Sequence, residues 1–284
     1  MEKLKMVIPK GRMFNKLSEL LQDAGIHIQT NDRSYIPYIS DLDIEAKIMK
    51  AQNIAKLVEL GAHDIGFTGY DWVIESEADV EEILDLRLDP VTIVAAIPAC
   101  YALEKLRTDR IMAASEYQMI ATRYLEEEGF DYNFIRTFGA TEAYPPEDAD
   151  MIIDNTSTGR TLIENKLKVI AEIMTSSTRL IANKQSLKDP WKKSKIDSLK
   201  MLFSAVLNAR GRVMLEMNVA AENLEEVVNI LPCMRAPTVS PLYLNQGFAV
   251  KVAVPREDTV KLIPRLKELG VTDILDYEFK KVVL

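Results

Sequence analysis

At 284 residues the chain is long enough for two or three domains, each with its own core, and its 48% hydrophobic content is ordinary for a globular protein. The net charge of −8 repels phosphate backbones, and the densest basic run, KDPWKKSKIDSLK at 188–200, carries Asp189 and Asp197 among its lysines; it reads as a solvated helix face, and no nucleic-acid partner is expected. No run approaches the ~20 apolar residues that span a bilayer, the chain begins directly with a strand and not with a leader, and Cys100 and Cys233 stand isolated, so the expectation is a cytoplasmic protein with no membrane partner, no disulfide framework and no cysteine metal site.

Through the first two-thirds, short β-rich runs alternate with helical stretches, the pattern of α/β domains with mainly parallel sheets. Strands are expected near 4–9 (LKMVIP), 26–30, 64–67 (DIGF), 91–97 (VTIVAAI), 110–114, 133–138 (NFIRTF), 151–154 (MIID), 168–174 and 178–182 (TRLIA). Among the helices, 13–24 carries Leu17, Leu20, Leu21 and Ala24 at helical spacing, while 53–60 and 116–128 close on Gly61 and Gly129 in the C-terminal cap position. Asp89-Pro90 breaks the chain ahead of a second set of β/α units. A charged helix over about 189–210 ends at Gly211. From Arg212 the order becomes strand (213–219), helix (222–231), strand (238–243), strand (248–254), helix (258–268) and strand (273–279). This β-α-β-β-α-β order is the ferredoxin-like arrangement, which serves as a small-molecule sensor or, more plainly, as an oligomerisation domain; the fold alone does not choose.

The chain has 2 histidines. His27 alternates within the strand-like IHIQT and His63 sits in the turn GAHD, so both read as structural or exposed, and triad hydrolysis and histidine-rich metal sites lose support. Chemistry must rest on carboxylates, cations, hydroxyls and backbone amides. The segment MIIDNTSTGRTLIENKL (151–167) concentrates them. An apolar strand, Met151-Ile152-Ile153, delivers Asp154 at its carboxyl end; Asn155, Thr156, Ser157, Thr158, Gly159 and Arg160 follow, and a helix begins near Thr161. Such a strand–turn–helix unit gathers free N–H groups and the positive end of a helix dipole around one point, so an anion such as a 5′-phosphate fits there, with hydroxyls as further donors. Gly159 lets the backbone approach closely or take a positive φ, and Asp154 at the rim suits ribose hydroxyls. A helix cap alone needs one such residue, whereas this loop has Asn155, Thr156, Ser157 and Thr158 in a row. Lys10-Gly11-Arg12 follows the first parallel strand, where ligands bind in such sheets, although the tripeptide by itself is an ordinary surface turn. Gly66, Gly69 and Asp71 read either as a βα turn capped by Asp71 or as ligand contacts.

These residues carry a resemblance. DNTSTGRTL (154–162) resembles the phosphoribosyl pyrophosphate loop of ATP phosphoribosyltransferases: Asp, three variable or apolar positions, Ser/Thr, Gly, any residue, Thr, Leu. Pro9-Lys10-Gly11-Arg12 resembles that family's N-terminal K-G-R turn, and DIGFTGYD (64–71) its D-x-G-[I/F]-x-G-x-D segment. Glu142 resembles the acidic residue that opens the family signature, and RAPTVSPL (235–242) is similar to the regulatory domain of the long form. The order matches over essentially the whole chain. Three positions depart: Lys50 stands where Arg is common, keeping the charge without the bidentate fork; Glu147 stands where Gly is usual; and Asn155 replaces an apolar residue.

The resemblance implies transfer of a 5-phosphoribosyl group from phosphoribosyl pyrophosphate to N1 of the adenine of ATP, releasing pyrophosphate, as the first step of histidine synthesis. Such a reaction builds positive charge at the ribose C1 and negative charge on the leaving group, and needs positioning and charge neutralisation more than a covalent nucleophile. No side chain is assigned as acid or base. The resemblance also implies a two-lobed α/β core of type II periplasmic-binding-protein architecture: lobe one is 1–88 with a return at about 178–210, and lobe two is 89–177. A regulatory ferredoxin-like domain, 212–284, follows. On this reading the loop 156–161 holds the 5′-phosphate, and Asp154 with Glu142 holds the ribose. Lys10, Gly11, Arg12 and Lys50 face the pyrophosphate or the ATP phosphates, and Gly69, Tyr70 and Asp71 lie on the nucleotide side. Mg²⁺ is expected mainly on the substrate pyrophosphate, with Asp154 and Glu142 as candidate protein ligands. Histidine is the implied inhibitor, with Thr238 and Ser240 as candidate contacts, a Pro-bounded edge strand being their plainer reading. The implied assembly is a homo-oligomer, with dimers and hexamers. Two rivals remain: a non-catalytic two-lobed binding protein with a sensor domain, and a phosphoribosyltransferase for another base.

Overall fold

The computed structural model describes residues 2–30 and 34–284. Its contacts divide the chain into two compact units, Met1–Glu19 with Ile26–Asp197, and Leu20–Gly25 with Ser198–Leu284.

The first unit is built on two five-stranded sheets. One runs in the order Ile44–Met49, Leu4–Pro9, Ile65–Gly69, Thr178–Ala182, Glu81–Asp85. The first three of these are parallel, and Thr178–Ala182 is antiparallel to both its neighbours. The other runs Tyr132–Arg136, Ile111–Ser115, Met151–Thr156, Val91–Pro98, Leu167–Ser176. Again three strands are parallel, the fourth is reversed, and the fifth opposes the fourth. We call the two sheets with their helices lobe one and lobe two. In each lobe the reversed strand belongs to chain that has just arrived from the other lobe. This is the two-lobed type II arrangement that the resemblance implied.

The chain crosses between lobes twice, near 86–91 and 176–178, and the crossings are bonded to each other. Leu86 N–H donates to the Thr178 carbonyl (3.0 Å), while the Thr178 N–H (2.9 Å) and hydroxyl (3.1 Å) both donate to the carbonyl of Leu88.

Central strands are apolar on both faces because helices cover both sides. Every residue of Ile65–Gly69 is buried, and the helix Ala51–Glu59 lays Ile54, Ala55 and Val58 against Val7 and Ile181. In lobe two, Ile93, Ala95, Ile97, Met151 and Ile153 pack with Ile120, Ala121 and Leu125 on one face, and Val94, Ala96 and Ile152 with Leu162 and Leu167 on the other. Each large aliphatic side chain buried this way contributes about 1.5–3 kcal/mol. Three strands lie outside the sequence expectation: the two-residue Tyr38–Ile39, which pairs with Ile28–Gln29, and two edges of the large sheets. Ile44–Met49 interrupts its buried positions with Glu45 and Lys47, and Glu81–Asp85 opens with two exposed glutamates, so neither reads as an apolar run.

The second unit has strands Arg212–Val219, Thr238–Pro241, Phe248–Pro255 and Thr272–Glu278 and helices Leu224–Ile230 and Thr259–Glu268. The sheet is antiparallel in the order Thr238–Pro241, Phe248–Pro255, Arg212–Val219, Thr272–Glu278, the ferredoxin-like arrangement. Val213, Leu215, Met217 and Val219 alternate inward with Val250, Val252 and Val254, covered by Val227, Leu262 and Leu266. The edge strand Thr238–Pro241 is exposed at all four positions. Among the described residues no helix is long and apolar enough to cross a membrane.

Candidate active site

Met151–Thr156 is paired on one side to Ile111–Ser115 only as far as Ile153 and on the other to Val91–Pro98 through Thr156. The strand therefore outruns its parallel neighbour, and Asp154 emerges at that carboxyl end. The loop beyond it is held from within: the Thr156 hydroxyl accepts the Gly159 N–H (2.9 Å). Gly159 has φ +73°, a left-handed conformation that a side chain would strain, and it starts the helix Arg160–Glu164. That helix has only five residues. Its dipole is correspondingly small, so anion-binding capacity rests on first-turn amides and hydroxyls. Arg160 turns its guanidinium onto Glu164 (2.8 Å) and stays exposed.

A cavity of about 520 Å³ opens over this loop, lined by Asp154, Asn155, Thr156, Ser157, Thr158, Arg160 and Thr161 together with Glu142, Glu116 and Arg12. The volume falls within the usual range of ligand clefts. Glu142 reaches it from the short turn of helix Thr141–Ala143. Burial raises the Asp154 carboxyl to about 6; the Asn155 N–H and the Thr141 hydroxyl oppose this, and the charges of Glu142 and Glu116 add to it. The site therefore concentrates negative charge that a cation or several donors would relieve.

Gly69 and Asp71, two of the residues expected on the nucleotide side, line a second cavity of about 240 Å³ with Lys10, Arg12, Gln52, Trp72, Asp89, Glu116, Tyr117, Asn155 and Ser176 among others. Asp71 is buried and fully engaged. Its Oδ1 accepts from the Ser176 hydroxyl (2.6 Å) and its Oδ2 from the Tyr117 hydroxyl (2.8 Å), while its own N–H donates to Ser176 Oγ (3.0 Å). Asn155 then donates from Nδ2 to the Tyr117 oxygen (3.0 Å) and to Asp154 Oδ1 (3.2 Å), so an unbroken chain runs Asp71–Tyr117–Asn155–Asp154. The polar residue at 155 thus has a structural role. Burial, and then the charge of Asp71, hold the Tyr117 phenol protonated far above its ordinary range. Gly69 is required by close approach, since a Cβ there would lie 2.1 Å from Asp71 Oδ1. Asp71 acts less as a ligand contact than as the anchor of Tyr117.

The cations are dispersed. Lys10 lies over the Tyr35 ring (5.2 Å). Arg12 (3.8 Å) and Lys16 (3.1 Å) approach Oδ1 of buried Asp89, whose Oδ2 has no hydrogen-bond partner. Gly11 sits between Lys10 and Arg12 without lining either cavity. Lys50 lines a third, adjoining space of about 250 Å³ with Gln52, Trp72, Glu116 and Arg136. Tyr70 carries the Arg179 guanidinium on its ring (5.1 Å) and lines none of the three spaces. Thr238 and Ser240 lie on the exposed edge strand of the second unit.

Sequence reasoning passed over Glu116, Trp72, Tyr117 and Asp89. Glu116 lines all three spaces. The available signal was its place, directly after the strand Ile111–Ser115, at a parallel strand's carboxyl end. Asp154, Glu142 and Glu116 offer hard oxygen donors of the kind magnesium takes, and among the described residues no cluster of three or more His, Cys, Asp or Glu side chains is arranged to hold a metal. The donor set suits a hard divalent ion that keeps several of its waters.

Residues 50–205 match the family model HisG, described as ATP phosphoribosyltransferase, and residues 209–281 match the HisG C-terminal domain. The ATP phosphoribosyltransferase of Chlorobium luteolum is 40% identical over 286 residues, covering 99% of this chain and 97% of the relative. That of Pelotomaculum thermopropionicum is 37% identical over 289 residues, covering 99% of each. Among solved structures, a chain of the ATP phosphoribosyl transferase (HisG:HisZ) complex from Thermotoga maritima matches with a TM-score of 0.63 at 27% identity, covering 70% of this chain and 98% of that one.

Proposed function

The chain belongs to the HisG family of ATP phosphoribosyltransferases, enzymes of the pentosyltransferase class, and we propose that it transfers the 5-phosphoribosyl group of phosphoribosyl pyrophosphate to N1 of the adenine of ATP. Pyrophosphate leaves, and the reaction opens histidine biosynthesis in the cytoplasm. The observation that carries this reading is the cavity that gathers Asp154, Glu142, the hydroxyl-rich loop and Arg12 around one space.

In the proposed site the amides and hydroxyls of 156–161 hold the 5′-phosphate, and Asp154 with Glu142 accepts the ribose hydroxyls. Lys10, Arg12 and Lys50 face the pyrophosphate or the ATP phosphates, Lys10 from the nucleotide cavity alone, and Gly69, Tyr70 and Asp71 lie on the nucleotide side, Asp71 acting through Tyr117. Ionised Asp154 also stands beside the carbon that becomes positive, where a fixed negative charge lowers the barrier. No protein nucleophile takes part. Magnesium, carried by the pyrophosphate, supplies neutralisation of the leaving group. Catalysis otherwise consists of aligning two polyanions.

On this reading lobe one is 1–88 with about 178–210, lobe two is 89–177, and 212–284 regulates. Histidine binds near Thr238 and Ser240 and favours one assembly state of a homo-oligomer, dimer or hexamer. The exposed edge strand supports the assignment, because it offers unpaired backbone groups to a ligand or a second copy.

The test mixes purified protein, Mg²⁺, ATP and phosphoribosyl pyrophosphate and follows phosphoribosyl-ATP by absorbance and mass, with and without histidine. Product that falls with histidine supports both parts. Product indifferent to histidine removes the regulatory assignment, and no product, with neither substrate bound in calorimetry, replaces the enzyme with a binding protein.

A further inference from the structure

The lobe-two helix Gln118–Glu127 begins directly after Glu116 and Tyr117, two of the residues this lobe turns toward the nucleotide cavity. First-turn amides of a helix need acceptors from outside it. Its N-cap residue, Tyr117, supplies no side-chain acceptor. The acceptor comes from the other lobe: Oε2 of Glu75, the last residue of the lobe-one helix Tyr70–Glu75, takes the N–H of Met119 (2.9 Å) and of Ile120 (3.1 Å). A carboxylate there also meets the positive end of the helix dipole favourably.

Two further contacts join the same pair of segments. The Tyr117 hydroxyl donates to Asp71 (2.8 Å), and the Tyr117 ring stacks on Trp72 with centroids 4.5 Å apart and planes inclined by 25°. Asp71, Trp72 and Glu75 thus grip successive parts of 117–120, namely hydroxyl, ring and helix end. An ordinary cap is local, supplied by the N-cap or third helical residue, and survives any rigid movement of its helix. This one does not: separating the lobes breaks it.

We propose that Glu75 is a positioning residue for the nucleotide half of the cleft, fixing from lobe one the helix end behind Tyr117 and Glu116 and so setting both the spacing of the lobes and the aim of those two side chains. The part concerning ATP rests on the function proposed above; the part concerning the lobes does not.

The experiment compares Glu75→Ala and Glu75→Gln in the full chain. Because one oxygen receives both amides, the glutamine carbonyl can replace it. The alanine variant is expected to raise KM for ATP roughly tenfold, with a smaller change in kcat and in KM for phosphoribosyl pyrophosphate. The glutamine variant should return KM to within about twofold of the parent. Hydrogen exchange at Met119 and Ile120 should quicken in the alanine variant and stay slow in the glutamine variant. An alanine variant with parental KM and parental exchange overturns the proposal. So does a fall in kcat at unchanged KM that glutamine fails to restore, which would mark simple loss of folded enzyme. If the parent protein makes no phosphoribosyl-ATP, the proposed function fails, and the exchange measurement alone decides the cross-lobe cap.

Discussion

Lobe one and lobe two share a strand order, three parallel strands followed by a reversed one and an edge, yet they meet the cleft with different balances of charge. Lobe one brings Lys10, Arg12 and Lys50 to the cavities, its Asp71 being occupied by Ser176 and Tyr117, while lobe two brings Asp154, Glu142, Glu116 and a run of hydroxyls, with Arg136 and Arg160 beside them. A scaffold that places loops at the carboxyl ends of strands does not dictate what those loops hold. On the proposed reading this distribution suits a reaction between two polyanions at a carbon that becomes positive, the lobe-one cations drawing in phosphates and the lobe-two carboxylates facing the sugar.

The largest expected effect tests the acidic wall. Asp154→Asn should lower kcat about a thousandfold, the scale of removing one group that stabilises charge in a transition state. The same change should stabilise the unliganded fold. A carboxyl raised to about 6 contributes stability that is complete below its unfolded value near 4 and is lost as pH rises through about 6. At pH 8 the asparagine variant should therefore gain about 1–2 kcal/mol over the parent, and at pH 4 nothing, in denaturant titrations. A variant that loses both activity and stability at pH 8 would make Asp154 a structural residue.

The next effect separates the walls. Lys10→Ala should raise KM for ATP about tenfold and leave KM for phosphoribosyl pyrophosphate nearly unchanged, while Thr161→Val should do the reverse. Equal shifts for both substrates in both variants would dissolve the contrast between lobes. A comparable effect belongs to the second unit: replacing Thr238 and Ser240 together by Ala should weaken histidine inhibition about tenfold without altering kcat, measured by inhibitor titration. Full inhibition by histidine in that variant moves the effector site elsewhere. The smallest effect is a proton. Magnesium phosphoribosyl pyrophosphate brought to Asp154 should lower its raised carboxyl, so calorimetry at pH 6 in buffers of different ionisation heat should find roughly half a proton more released by the parent than by Asp154→Asn, whose remaining release belongs to the substrate phosphate.

Much of this was legible in sequence where the signal was local. The ferredoxin-like order after Arg212 follows from alternation at Val213, Leu215, Met217 and Val219. The Asp154 loop stood out because its hydroxyls are consecutive. What escaped depends on partners distant in the chain. Tyr117 has its function from Asp71, 46 residues away, and Asp71 its own geometry from Ser176, 105 residues away. No periodicity within a window announces such a pair. The two lobe-one edge strands escaped for a different reason: Glu45 and Lys47 in one, and Glu81 and Glu82 in the other, face solvent, which is how an edge avoids pairing with strangers and also how it avoids looking like a strand.

The interleaving of the lobes also sets an order of assembly during synthesis. Lobe two is contiguous between the two crossings and can close its sheet as soon as Ser176 has been made. Lobe one cannot. Its reversed strand Thr178–Ala182 lies between Ile65–Gly69 and Glu81–Asp85, so everything translated before residue 178 leaves a slot in that sheet, with an unpaired apolar edge on Ile65–Gly69. A nascent chain that closes its second lobe first therefore carries an open, apolar strand edge in lobe one until the returning strand fills it.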